Sequence, residues 1–283
     1  MSAARAPIGV FDSGVGGLTV LRALRAGLPH EDFIYLGDTA RLPYGTKSPE
    51  SVVRYSLQCA AALVVRKIRC LVVACNTASA SALPALRARY PELPVIGVIE
   101  PGAQAAVETS ISQRIAVIGT EGTIQGGAYQ AAIHRLNSAA TVSSLACSLF
   151  VALAEEGWTQ GTIPEAVARR YLGMLFEESG GDAPDTLVLG CTHFPALAEP
   201  IRAVLPAGVR IVDSAGTTAA AVLRLLPDAR RGAAAESVPG IVPAGTRGGV
   251  TLLATDGAAR FARVGSRFLG ESLSAGAIQV IDL

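Results

Sequence analysis

Two short stretches of this chain share one pattern, and any fold assigned to it has to accommodate both. Leu71–Thr77 reads LVVACNT and Leu187–His193 reads LVLGCTH. Each starts with consecutive apolar residues, passes one small residue, and delivers a cysteine followed by two polar side chains. An unbroken apolar run bounded by polar residues suits a strand buried on both faces, as in a parallel sheet covered by helices. Side chains just past the carboxyl end of such a strand stand where α/β proteins build ligand sites. Pro195 then suits the first turn of a helix, where its missing N–H costs nothing.

The remaining chain alternates strands and helices. Ile8–Phe11 reads as a buried strand, followed by Asp12, Ser13, Gly14, Gly16 and Gly17, and then by leucines at helical spacing from Leu18 to Leu28. A strand, a glycine turn and a helix offer free N–H groups to an anion. The turn is therefore either a carboxylate or phosphate cradle faced by Asp12 and Ser13, or a tight connection that needs small residues. Phe33–Asp38 (FIYLGD) is a second strand, and Ser48-Pro49 caps a helix expected to reach about Ile68. A helix over Ser79–Arg89 follows, then a strand over Pro94–Val98 that Glu100-Pro101-Gly102 breaks.

From there the plan restarts. Arg114–Gly119 is a strand ending in Thr120-Glu121-Gly122-Thr123, the counterpart of the Asp12 turn, and a helix over Ala128–Leu136 follows. A weak strand (Thr141–Leu145), helices over Leu149–Glu156 and Pro164–Glu178, the LVLGCTH strand and a strand over Val209–Val212 complete this half. Pro227–Gly249, rich in Ala, Gly, Arg and Pro, reads as a surface excursion or disordered loop. A strand (Val250–Ala254), a helix (Ala258–Leu269) and a last strand (Ile278–Ile281) close the chain. The expectation is an α/β protein with two similar three-layer domains, whose mainly parallel sheets face each other across a cleft. The first domain is placed at residues 1–98 plus about 215–283 and the second at 99–214.

Several function classes recede at once. A formal net charge of +1 gives no electrostatic footprint for nucleic acid or an anionic membrane. The longest apolar runs are interrupted by charge well short of a bilayer span, and MSAARAPIGVF has no signal-peptide apolar core, so the expected location is the cytoplasm. A dinucleotide fingerprint counted from Gly14 puts Thr19 where the last glycine belongs, which leaves Asp38 as a weak support for that reading. Only Lys47 and Lys67 could form a Schiff base, and neither has a pyridoxal-enzyme context.

Of the cysteines, Cys59, Cys70 and Cys147 read as small core residues, whereas Cys75 and Cys191 each sit past a strand end among polar neighbours. Four chemistries compete for the pair. A metal site could use Cys75, Cys191 and His193 but lacks a convincing fourth ligand. A Cys191–His193 nucleophile and base gives Cys75 no task. A redox dithiol would need touching sulfurs, and no C-x-x-C spacing suggests it. Two thiols on opposite walls of a cleft, one removing and one supplying a proton at a single carbon, use the repeat best. Asp12 and His193 could then tune the thiols, and Ser13, Asn76, Thr77, Thr123 and Thr192 could hold carboxylate oxygens.

FDSGVGGLTVLRAL, YLGDTARLPYG, VVACNTASA and LVLGCTHFPAL, spread over most of the chain, resemble the bacterial glutamate racemases. The resemblance implies two related α/β domains, no cofactor and no metal, glutamate as substrate, and D-glutamate for peptidoglycan synthesis. It implies that Cys75 deprotonates D-glutamate and Cys191 deprotonates L-glutamate, and adds Asp12, His193 and Glu155 to the catalytic set. Substrate contacts fall on Asp12, Ser13, Pro43, Tyr44, Gly45, Asn76, Thr77, Thr123, Thr192 and His193. Around Glu155 the chain reads Ser148 and Ala152 where the family carries prolines. A homodimer is compatible with the sequence without being specified by it. An aspartate or related racemase and a non-catalytic dicarboxylate-binding protein are the rivals.

Overall fold

The structure is a computed structural model whose described residues are 6–176, 183–226 and 247–283. Two all-parallel sheets organise it. The first contains β1 (Ile8–Asp12), β2 (Phe33–Gly37), β3 (Cys70–Val73), β4 (Val95–Gly97), β9 (Val250–Ala254) and β10 (Ile278–Val280), in the order β10-β9-β2-β1-β3-β4. The second contains β5 (Arg114–Gly119), β6 (Thr141–Ala146), β7 (Thr186–Gly190) and β8 (Arg210–Asp213), in the order β6-β5-β7-β8. The C-terminal strands thus return to the first sheet. β1 and β7, central in their sheets, are buried at every residue, which is why they read as unbroken apolar runs.

Each sheet carries helices on both faces, and the strand alternation assigns side chains to them. In the first sheet Ile8, Val10 and Val72 share an apolar cluster with Leu18, Leu21 and Leu24 of α1 (Leu18–Gly27) and with Phe261 and Phe268 of the C-terminal helix Ala258–Leu269. Phe11, Leu36 and Val73 face the other way, onto α2 (Pro49–Val64) and α3 (Asn76–Arg89). In the second sheet Ile115, Val117 and Val188 meet α4 (Ile99–Thr109) and a helix over Ala128–Leu136. Ala116, Ile118, Leu187 and Leu189 join the cluster that holds Phe150 and Leu172. That cluster also contains the α1 residues, so the two halves share one continuous apolar core.

The remaining helices are α5 (Glu121–Gln125), α6 (Ala128–Leu136), α7 (Leu149–Glu156), α8 (Thr162–Phe176), α9 (Ala198–Val204), α10 (Ser214–Leu225) and α11 (Ala258–Leu269). Four expectations need correction. Glu100-Pro101-Gly102 does not simply end a strand but opens α4. A proline in the first turn gives up only an N–H that has no intrahelical acceptor. The helix α2 stops at Val64 rather than near Ile68, because Lys67 adopts a left-handed φ of 59° that turns the chain into β3. The helix expected from Ser79 starts at Asn76, with Cys75 as its N-cap. Asp213-Ser214, expected only as the end of a strand, also opens the helix α10. Asp213 caps it by accepting from the Ala215 and Gly216 N–H groups. The surface excursion expected at Pro227–Gly249 lies outside the described residues as far as position 246, as does the end of the helix expected to reach Glu178.

Candidate active site

Cys75 and Cys191 line a single cavity, one from the end of β3 and the other from the end of β7. Both are nearly buried, at 5% and 6% exposure. Ser13, Pro43, Tyr44, Gly45, Asn76, Thr77, Thr123, Glu155, Thr192 and His193 share the wall, so the sequence brought together nearly all of the residues singled out for it. Leu42, Thr120 and Val151 also line it and were not singled out. Thr120 was legible as a strand-end residue of the repeat. Leu42 and Val151 are apolar residues of a loop and a helix, with no local signal separating them from ordinary packing.

Asp12 stands apart. Its carboxylate does not line the cavity and is fully buried. Oδ2 accepts from the Gly14 N–H at 3.1 Å and the Gly17 N–H at 3.0 Å, while Oδ1 has no hydrogen-bond partner among the described residues. The glycine turn is indeed an anion cradle, but the anion in it is the chain's own aspartate. An added Cβ at Gly17 would come within 2.6 Å of the Asp12 side chain, so the third glycine of the turn makes room for that carboxylate. Asp38, the residue that kept a dinucleotide reading alive, is also committed: Arg41 Nε donates to it at 2.7 Å, Thr255 Oγ1 at 2.9 Å, and the Tyr44 hydroxyl closely. Tyr44 therefore offers the cavity its ring and backbone, its hydroxyl being spent on Asp38.

The Cys75 sulfur accepts from the Ala78 N–H at 3.4 Å at the amino end of α3, and its thiol lies 3.6 Å from Ser13 Oγ. Burial pushes this thiol up to about 12, reinforced by the Asp12 charge and opposed by the Ala78 and Ser13 hydrogen bonds. Cys191 has a different setting. His193 Nδ1 lies 3.8 Å from its sulfur and His193 Nε2 lies 3.2 Å from Glu155 Oε1. Burial opposes charge on the imidazole, but Cys191 and Glu155 outweigh it and raise His193 to about 10. His193 is therefore an imidazolium near neutrality, a counter-charge for a thiolate at Cys191. Glu155 is lowered from its ordinary value, first by its hydrogen bond to His193 and against the effect of burial.

The halves meet at the cavity wall. Thr77 Oγ1, on α3, lies 2.9 Å from Thr120 Oγ1 and 3.2 Å from Thr123 Oγ1, both after β5. Close approach is built in elsewhere too. An added Cβ at Gly16 would come within 2.5 Å of the His193 ring and Thr192 Oγ1, and one at Gly45 within 2.7 Å of Thr120. Among the described residues no group of three or more His, Cys, Asp or Glu is arranged to hold a metal ion, and all five cysteines are free thiols. The geometry is thus two free thiols, each with its own hydrogen-bonding neighbours, brought to one small cavity from the ends of two strands in different sheets.

Known proteins are similar to this chain in sequence and in fold. Residues 8–222 match the family model described as Asp/Glu/hydantoin racemase. The glutamate racemase of Geobacter metallireducens is 52% identical over 94% of this chain and 93% of its own length. Among solved structures, a glutamate racemase isoform from Bacillus anthracis superposes with a TM-score of 0.86 at 35% identity, covering 99% of both chains. The Francisella tularensis glutamate racemase, solved in complex with D-glutamate, superposes with a TM-score of 0.85 at 33% identity, covering 99% of this chain and 98% of its own. Together with the paired thiols, these likenesses show that the chain belongs to the Asp/Glu/hydantoin racemase family, among its glutamate racemases.

Proposed function

We propose that this protein interconverts L- and D-glutamate without a cofactor by a two-base proton transfer at Cα. The observation that carries the reading is the placement of Cys75 and Cys191 at matching strand ends of two sheets, on one cavity. In the L-to-D direction Cys191, as thiolate beside the His193 imidazolium, takes the α-proton. The Cys75 thiol then delivers its proton to the opposite face, leaving Cys191 as thiol and Cys75 as thiolate; the reverse direction exchanges the roles. Charge that develops on the substrate carboxylate is met by donors already in place, among them Asn76, the threonine hydroxyls and the amino end of α3. Asp12 supports the Cys75 side and Glu155, through His193, the Cys191 side. Ser13, Pro43, Tyr44, Gly45, Thr77, Thr123 and Thr192 form the substrate-contacting wall.

Cys75 holds its proton by burial, and the positive ring faces Cys191. Glutamate as substrate is supported by relatives of that name at up to 52% identity and by the D-glutamate bound to the Francisella protein. Two domains, 1–98 plus about 215–283 and 99–214, are part of this reading, and each sheet's strands fall within one of these ranges. So are a cytoplasmic location, a supply of D-glutamate for peptidoglycan synthesis, and a homodimer, which light scattering would test. Among the described residues no helix is long and apolar enough to cross a membrane.

The test is incubation of L-glutamate, and separately L-aspartate, with the protein in deuterated water. Expected are loss of optical rotation and deuterium at Cα for glutamate with no added cofactor. Turnover of aspartate alone would overturn the substrate, and exchange with neither would point to a binding protein.

A further inference from the structure

Asn76 lines the cavity, is 3% exposed, and has an amide nitrogen, Nδ2, that is buried without a hydrogen-bond partner among the described residues. Its other amide atom is not free. Asn76 Oδ1 accepts a hydrogen bond from the Tyr129 hydroxyl at 2.8 Å. An amide has a donor end and an acceptor end of nearly the same shape, and only its partners decide which end points where. For a cavity that receives a carboxylate the choice matters, because the N–H2 end attracts it and the oxygen end repels it.

We propose that Tyr129 is a positioning residue: its phenol holds Asn76 Oδ1, so that the amide presents Nδ2 to a substrate carboxylate in the cavity. The proposal rests on the racemase reading above. Tyr129 is suited to the task because it cannot move away. It is 1% exposed, and an added Cβ at Gly102 would come within 3.2 Å of its hydroxyl and one at Gly190 within 3.1 Å of its ring. Both glycines leave the space this ring fills. Burial pushes the phenol well above its ordinary range, so the hydroxyl keeps its proton and remains a donor. The contact also spans the halves, since Tyr129 lies on α6 against the second sheet and Asn76 opens α3 against the first. The orientation of the carboxylate donor is thus set from the opposite half of the molecule.

Tyr129→Phe removes one oxygen and keeps the ring. It leaves a buried acceptor unsatisfied and releases the amide to turn over, so KM for both glutamate enantiomers is expected to rise about tenfold, with kcat changed less. Placed on top of Asn76→Ala, the same change is expected to add no further loss, because Tyr129 acts only through Asn76. Asn76→Asp keeps an acceptor for Tyr129 and removes the donor, and is expected to raise KM at least as far. An unchanged KM in Tyr129→Phe or in Asn76→Asp would overturn the proposal, as would an equal loss from Tyr129→Phe in the Asn76→Ala background. A wild-type protein that turns over neither enantiomer would overturn the racemase reading itself, before any variant is compared.

Discussion

His193 Nε2 lies 3.2 Å from Glu155 Oε1, while the other nitrogen of the same ring lies 3.8 Å from the Cys191 sulfur. One buried imidazole thus joins a carboxylate to a thiol, and the charge it carries couples stability to pH. Its folded pKa of about 10 stands above the ordinary 6.5. The folded state therefore holds the proton more tightly than the unfolded chain. The resulting stabilisation is complete below pH 6.5 and is lost as pH rises through 10. Cys75 has the same sign: with its thiol at about 12 against an ordinary 9.0, its contribution is intact below pH 9.0 and lost on the way to 12. Urea midpoints should fall steadily above pH 6.5, and His193→Asn should flatten the part of the curve below pH 9.0. A midpoint that rises over this interval would contradict the assignment.

The two thiols face one cavity with different supports, so neither can replace the other. Replacing either Cys75 or Cys191 by Ala removes one acid/base from a step that needs both, and general acid–base groups contribute about 10²–10⁴-fold. Each variant should lose racemisation by about that factor or more, read as optical rotation. Because the racemisation equilibrium constant is one, kcat/KM has to fall equally for the two enantiomers. Wild-type rates in either variant would exclude the two-base scheme.

Much of this was legible in the chain because the signals are local. The strand ends that deliver Cys75 and Cys191 are unbroken apolar runs followed by polar residues, and Ser48-Pro49 caps α2 as its residue types demand, with Ser48 Oγ accepting from Ser51 N–H at 3.3 Å. What was not legible depends on which partner a polar side chain takes, and residue type and spacing do not decide that even where the partner is only a few positions away. Nothing near Asp12 shows that its carboxylate will fill the glycine cradle rather than face a ligand. Nothing near Tyr44 shows that its hydroxyl will be taken by Asp38. α4 was hidden for a different reason. Pro101 and Gly102 are strong breakers in mid-helix and harmless in a first turn, and only the packing of Ile99 and Ala103 on the second sheet decides between the two.

Gly16 belongs to the same turn and has a role at the opposite half. An added methyl there would sit 2.5 Å from both the His193 ring and Thr192 Oγ1, below any real contact distance. Gly16→Ala has to displace the imidazole that faces Cys191 or separate α1 from the Cys191 turn, which Thr19 Oγ1 otherwise contacts through the Thr192 carbonyl at 3.2 Å. Expected is a fall in kcat of about 10-fold or more, since displacements near 1 Å at a reacting centre can cost about 10². Gly127→Ala serves as a control outside the cavity wall, where no atom lies within 4 Å of the added methyl but φ is 61°, so it should reduce stability and spare kcat. Equal activity in Gly16→Ala and wild type would show that His193 is not held against this turn.

Glu155 is contacted from the other side by α11, and the magnitudes there predict unequal effects. Arg260 donates to Glu155 Oε2 at 2.7 Å and Arg267 donates to the Glu155 carbonyl at 2.6 Å. The Arg260 side chain is 51% exposed, so solvent screens its charge, and such pairs are worth about 0–1 kcal/mol. The bond from Glu155 to the buried imidazolium is charge-assisted and belongs to a class worth about 1.5–3 kcal/mol. Arg260→Ala should therefore lower kcat by no more than about fivefold, since Arg267 still anchors the end of α7. Glu155→Gln should lower it by about 10–100-fold and move the alkaline fall of activity to lower pH, because the imidazolium loses its carboxylate partner. Steady-state kinetics of the two variants from pH 6 to pH 10 separate these outcomes. A larger loss in Arg260→Ala than in Glu155→Gln would show that α11, rather than the carboxylate it touches, sets the reactivity of Cys191.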